Sequence, residues 1–179
     1  KYYPTKKVFT AGFDQLVLTR SMVFLANHPS KEDIPALHNL LPKDVLFAIS
    51  ESDATEHPDL LKQRKHIRYN VLQPKTLQKV KETIVQGHPI LLFPEVRRSS
   101  TGSLMKLYDE ITQVICDTTT TIYPIVLVGM EGQHYFPHPT PKIILGQPFL
   151  LEPNEHVSTI THQLDRLFRT MCFEQAHKT

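Results

Sequence analysis

A chain of 179 residues, 40% hydrophobic and 21% charged, is long enough to bury a substantial core as one domain and too apolar to be a disordered polymer. Its net charge of +2 offers no basic surface that would call for nucleic acid, and no apolar run approaches the ~20 residues needed to cross a bilayer. Cys116 and Cys172 stand far apart with no Cys-x-x-Cys, which argues for reduced, buried thiols and against a disulfide framework or a zinc site.

In chain order, residues 15 to 19 and 22 to 26 read as two short strands, the second running directly into Asn27-His28-Pro29-Ser30-Lys31-Glu32-Asp33. A helix follows, carrying Ile34, Leu37, Leu40 and Leu41, with Ser30 or Asp33 as its N-cap. Residues 45 to 49 form a strand; 50 to 66 are polar and without a strong period, a loop with a short helix; 67 to 72 form another strand. Residues 74 to 86 are an amphipathic helix with Leu77, Val80, Ile84 and Val85 on one face, a proline at its start and Gly87 at its end. A wholly apolar strand at 89 to 93 ends at Pro94-Glu95-Val96-Arg97-Arg98-Ser99. Then come a helix at 105 to 116, strands at 122 to 128 and 142 to 146 with a Pro- and His-rich loop at 133 to 141 between them, and a helix at 157 to 175. Apolar strands alternating with amphipathic helices predict one α/β domain, 1–179, with a largely parallel mixed sheet covered on both faces. Active sites in such sheets gather at the strands' carboxyl ends, where both motifs fall.

The chemistry lies in those two motifs. A histidine five positions before an aspartate supplies a general base and a carboxylate to orient it, and a later acid with two arginines supplies a site for a phosphorylated alcohol. Arg97 and Arg98 can hold phosphate through paired charge-assisted hydrogen bonds, and Glu95 can bond the alcohol or the arginines themselves. His134, His138 and His156 lack the spacing of metal ligands. The bland alternatives are a solvated His–Asp pair, an N-cap aspartate and an exposed basic loop.

The order of the motifs resembles the glycerolipid acyltransferases, whose first block reads Asn-His-x-Ser-x-x-Asp and whose third reads Phe-Pro-Glu-Gly-Thr-Arg-Ser. Asn27, His28, Ser30 and Asp33 match the first; Phe93, Pro94, Glu95, Arg98 and Ser99 match the third. Thr101 to Asp109 is similar to the corresponding stretch of the bacterial 2-acylglycerophosphoethanolamine acyltransferases, a branch whose arginine stands where Arg97 does, and Ile122 to Gly129 matches a fourth block with a proline in an apolar strand. The resemblance implies transfer of a fatty acyl group from acyl carrier protein or coenzyme A to a lysophospholipid, with His28 and Asp33 catalytic and Glu95, Arg97, Arg98, Asn27 and Ser30 binding substrate. The thioester is then a co-substrate, and neither a resident cofactor nor a metal is expected. The same resemblance implies a peripheral or tethered position on the cytoplasmic face of a bacterial membrane. Because Lys1 is not an initiator Met and no signal peptide is legible, the chain reads as a domain excised from a longer protein, one in which transporter and ligase segments can flank it.

Two rivals share these motifs. One is a lysophospholipid-binding domain with little or no turnover, suggested by Val96 where the family has glycine and by Lys31-Glu32 in place of apolar residues. The other is a hydrolase passing the acyl group to water, disfavoured because there is no Gly-x-Ser-x-Gly elbow. Val96 carries an expectation of its own: a β-branched residue should hold negative φ, so the loop from 95 to 100 should leave the path a glycine would give it.

Overall fold

The computed structural model describes residues 8–14, 16–99, 103–118, 120–130, 140–151 and 156–177. Strands β1 (Phe9–Ala11), β2 (Met22–Ala26), β3 (Leu46–Ser50), β4 (His66–Tyr69), β5 (Ile90–Leu92), β6 (Thr121–Val128), β7 (Lys142–Leu145) and β8 (Phe149–Leu150) form one sheet in the order β1-β7-β6-β2-β5-β3-β4, with β8 also on β6. The central pairings β6–β2, β2–β5, β5–β3 and β3–β4 are parallel, whereas β7 and β8 run antiparallel to β6. This is the α/β domain with a mostly parallel mixed sheet that the alternation of elements predicts.

β2 shows why the sheet is central. All five of its residues are buried, because parallel strands covered on both faces have no solvent side. Val23 and Leu25 join a core beneath helices α4 (Pro74–Val85), α5 (Asp109–Cys116) and α6 (Val157–His177). Met22, Phe24 and Ala26 join a second core beneath α1 (Asp33–Leu40), which also takes in Ala54 of α2 (Glu51–Glu56) and Leu61 of α3 (Pro58–Leu61).

A buried guanidinium closes the rear of the second layer. Arg64 donates to the carbonyls of His38, Leu41, Pro42 and Val45 at 2.7 to 3.0 Å and lies over the Phe47 ring. Two of those carbonyls belong to the end of α1, where a cation also complements the helix dipole. Arg64 thus joins the segment after α3 to the end of α1.

Several expectations change. Residues 16–19 are not a strand: they pack Leu16 and Leu18 against the second core from an irregular segment, and the edge strand is the shorter β1, fixed by pairing with β7. The strand expected at 67 to 72 ends at Tyr69, where Asn70 turns the chain by accepting from Leu72 N. The polar stretch after β3 forms two short helices, α2 and α3. Residues 105 to 108 are not helical because Met105 N donates to Glu95 Oε2 and Tyr108 N to the Pro94 carbonyl, so the chain runs as a strap along the Glu95 loop before α5 begins. α1 starts at Asp33 behind Glu32, and Ser30 caps the turn that leads into it: its Oγ accepts from Glu32 N at 3.0 Å while Asp33 Oδ2 accepts from Ser30 N. The loop at 133 to 141, apart from its last two residues, and Thr101-Gly102 lie outside the described residues.

Candidate active site

Three neighbouring strands, β2, β5 and β3, each deliver one acid or base at their carboxyl ends: His28, Glu95 and Asp53. Asn27 prepares the first. Its Nδ2 donates to the Leu127 carbonyl at 2.9 Å and its Oδ1 accepts from Leu127 N at 2.7 Å, so the side chain continues the β2–β6 ladder one step beyond Ala26–Ile125. Asn27 is therefore engaged with the Leu127 backbone.

His28 is fully buried, with Phe93 stacked on its ring at a centroid distance of 4.4 Å. Its Nδ1 lies 2.9 Å from Asp33 Oδ2; an ionised carboxylate can only accept, so Nδ1 carries the proton. The remaining capacity of Asp33 is met by Ser30 N at 2.7 Å and Ser30 Oγ at 3.2 Å. Ser30 thus fixes the orienting carboxylate.

Glu95 holds the two motifs together. It is buried, its Oε1 accepts from His28 N at 2.6 Å and its Oε2 from Met105 N. Burial pushes its carboxyl up, opposed by those two N–H donors. Each of its oxygens accepts one backbone N–H, so Glu95 joins the two motifs through the main chain. A second bond, Ser99 N to the His28 carbonyl at 3.1 Å, ties the arginine loop to the same residue.

Between Glu95 and Ser99 the loop overturns the expectation for Val96, which has φ +62°. The turn explains this. Val96 N reaches the Phe93 carbonyl at 3.0 Å and Arg97 N the Glu95 carbonyl at 2.7 Å, and with Val96 left-handed between them Glu95 bonds His28 N while Ser99 returns to the His28 carbonyl. The valine side chain, packed against the first core, accepts a backbone cost of about 1–3 kcal/mol. The chain thus keeps a glycine-like path without a glycine.

Asp53 was not among the expected site residues. Its Oδ1 lies 3.3 Å from His28 Nε2, yet Nε2 makes no well-formed hydrogen bond to it or to any other described group. Ser50 caps α2 by accepting from Asp53 N at 3.2 Å and donates to Asp53 Oδ2 at 2.6 Å. That Ser50-x-x-Asp53 spacing after an apolar strand is a helix-start signature, and it was the one signal that could have placed Asp53 at this end of the sheet. Arg98 stands behind it, with Nε 3.6 Å from Asp53 Oδ1 and Nη2 paired to Glu56. Arg97 is exposed.

The electrostatics follow from this packing. Burial works to lower the His28 pKa, but the hydrogen bond to Asp33 and the nearby charges of Asp33 and Asp53 outweigh it and push the pKa up to about 9. Burial pushes Asp33 up, while His28 and Ser30 pull it back. For Asp53 burial again works upward, but His28, Ser50 and Arg98 together hold its carboxyl below the ordinary range. Among the described residues, no group of three or more His, Cys, Asp or Glu side chains is arranged to hold a metal ion. A cavity of about 620 Å³ lined by Gly12, Thr19, Tyr123 and Gly146 lies toward the amino ends of β2 and β6, remote from this chemistry.

Comparison with known proteins agrees with the arrangement. The fold is similar to the solved structure of the 1-acyl-sn-glycerophosphate (LPA) acyltransferase PlsC from Thermotoga maritima, with a TM-score of 0.76 and 15% identity over 97% of this chain and 74% of that one. Residues 7–128, which carry both motifs and three of the strands that converge on His28, match the sequence profile of the acyltransferases, and the chain belongs to that family.

Proposed function

We propose that the chain transfers a fatty acyl group from a thioester, carried by acyl carrier protein or coenzyme A, to the free hydroxyl of a lysophospholipid, with His28 as general base. The observation that carries this is the buried His28–Asp33 pair at 2.9 Å, which fixes the proton on Nδ1 and leaves Nε2 as the only ring atom able to take another. A thioester is already activated, so no covalent nucleophile is needed. The acceptor oxygen attacks the thioester carbonyl as Nε2 removes its proton; the tetrahedral intermediate expels the thiolate, and the imidazolium returns that proton to sulfur. Asp33 stabilises the transient cation, as the acid of a serine-protease triad does. Arg98, in the loop bonded to the His28 carbonyl, receives the acceptor's phosphate, with Arg97 at the exposed rim. Asn27, Ser30 and Glu95 act through the backbone and carboxylate they hold.

No described helix is long and apolar enough to cross a membrane, so the lipid is reached from the surface in this reading. A second reading, binding without turnover, gains support from Asp53, which covers the atom that must act as base. One experiment separates them: a panel of lysophospholipids offered with both thioester types, products identified by mass spectrometry, beside His28→Ala. Acyl transfer that disappears in the variant supports the enzyme; binding with no product in either supports the alternative.

A further inference from the structure

The Asp53 contact carries more than an alternative reading. A general base needs a free lone pair, and with Nδ1–H given to Asp33 the only lone pair left is on Nε2. In the neutral ring that lone pair would face a carboxylate oxygen at 3.3 Å, an acceptor against an acceptor. The charged ring has no such conflict, since its charge then lies between two carboxylates, one hydrogen-bonded at Nδ1 and one 3.3 Å from Nε2. Two carboxylates beside one ring favour the imidazolium, and a ring in that form cannot take a proton. The same helix turn that carries Asp53 also carries Glu56, and both carboxylates engage Arg98, the cation assigned to the acceptor's phosphate.

We propose that Asp53 and Glu56 of α2 are an internal occupant of the acceptor site, displaced when a phosphate-bearing alcohol binds: the phosphate takes over Arg98, the hydroxyl takes the place of Asp53 at His28 Nε2, and the base is generated by that exchange. This rests on the general-base reading of His28. Three features make the contact displaceable. Nε2 and Asp53 are close but without hydrogen-bond geometry, so their attraction is mainly charge. Arg98 and Glu56 are partly open to solvent, so an anion can reach them. Asp53 has a second partner in Ser50 and Arg98 can keep an anion throughout, so neither is stranded when they part.

The proton is accounted for. As Asp53 withdraws, the imidazolium loses one of its two stabilising carboxylates and releases its Nε2 proton to water; the neutral ring then accepts the proton of the bound hydroxyl. The charged and titratable groups around the ring are Asp33 from α1, Asp53 from α2, Glu95 through the His28 backbone N–H, and Arg98 behind Asp53; the buried Tyr69 hydroxyl is occupied with the Phe93 carbonyl. Only Asp53 is both in contact with the ring and carried by an element outside the two motifs. Asp53 is thus a positioning residue that sets when the base becomes available, and it restricts the site to acceptors bearing an anion able to draw Arg98 away.

Asp53→Asn keeps the Ser50 interaction and removes the charge, so it tests the clamp without emptying the space. Followed by NMR, the His28 imidazole of wild type should titrate near 9, and that of Asp53→Asn lower by about one unit or more. Saturating sn-glycerol 3-phosphate should move the wild-type titration toward the Asp53→Asn value and leave the variant's almost unmoved. In turnover, the rising limb of kcat/KM against pH should shift down by the same amount, raising kcat/KM at pH 7 roughly 10-fold per unit. Glu56→Gln should lower the acceptor KM several-fold and leave the thioester KM alone. An Asp53→Asn His28 that titrates where wild type does, or a wild-type titration indifferent to glycerol phosphate, overturns the proposal. So does a loss of kcat/KM of about 10²-fold in Asp53→Asn, because Asp53 would then be required in turnover. If His28→Ala remained active the base assignment would fail, but the titrations would still decide whether Asp53 clamps the ring.

Discussion

The two carboxylates that flank the His28 ring reach it by different routes. Asp33 comes from the same short motif and is gripped by Ser30 N, Ser30 Oγ and His28 Nδ1, an arrangement that leaves it one position. Asp53 comes from a six-residue helix beyond β3, is held at one oxygen by Ser50, and meets the ring without a proper hydrogen bond. In the proposed mechanism the fixed carboxylate sits on the nitrogen that keeps its proton, and the loosely held one on the nitrogen that exchanges it. Rigidity in this site is distributed according to which proton stays and which moves.

The severest test removes the fixed side. His28→Ala and Asp33→Asn should each reduce turnover by at least about 10²-fold, and the double variant should be little worse than His28→Ala, as the proposed action of the pair as a unit requires. Additive losses measured by steady-state kinetics would dissolve the distinction between the two carboxylates.

Stability against pH weighs them on one scale. The folded His28 titrates near 9 against an ordinary 6.5, so the stabilisation it brings is fully present below about 6.5 and lost as pH rises through 9. The unfolding free energy of wild type relative to His28→Ala should therefore fall by about 3 kcal/mol across that window, measured by denaturant titration at a series of pH values. Asp33→Asn should remove more of this dependence than Asp53→Asn; equal shares would mean the second contact is as well seated as the first.

Among the arginines the contrast sharpens. Arg98→Ala should raise the acceptor KM about 10-fold with the thioester KM nearly unchanged, while Arg97→Ala should change either by less than about 3-fold. The reverse order would move the phosphate to the exposed residue. The smallest effect belongs to Val96. Val96→Gly relieves left-handed strain and forfeits side-chain packing and unfolded-state restriction, terms of similar size, so unfolding free energy should stay within about 1 kcal/mol. A loss above about 2 kcal/mol would show that packing governs the turn.

How much of this was legible follows the same division. β2 and α4 could be read because burial on both faces, or on one helical stripe, leaves a pattern in adjacent residues. The His28–Asp33 pair was legible for the same reason, its partners lying within one short segment. β1 and β8 are too short to carry a pattern and exist through their pairing with β7 and β6. α2 is polar and aperiodic, so its place over the site is set by contacts distant in sequence, and Asp53 went unread with it. Val96 misled because residue preference describes an isolated residue, whereas the bonds from Glu95 and Ser99 to His28 dictate the turn.

The chain between Ser50 and Arg64 is fastened at both ends, by the Ser50 cap and by the four carbonyls that Arg64 grips. A carboxylate on so short a leash competes with an incoming ligand at an effective concentration on the order of millimolar, however weak its contact with the ring. The apparent affinity for an acceptor is reduced by the fraction of time the leash keeps the site closed. In the proposed exchange, turnover depends on how densely the acceptor is presented as much as on how well it fits.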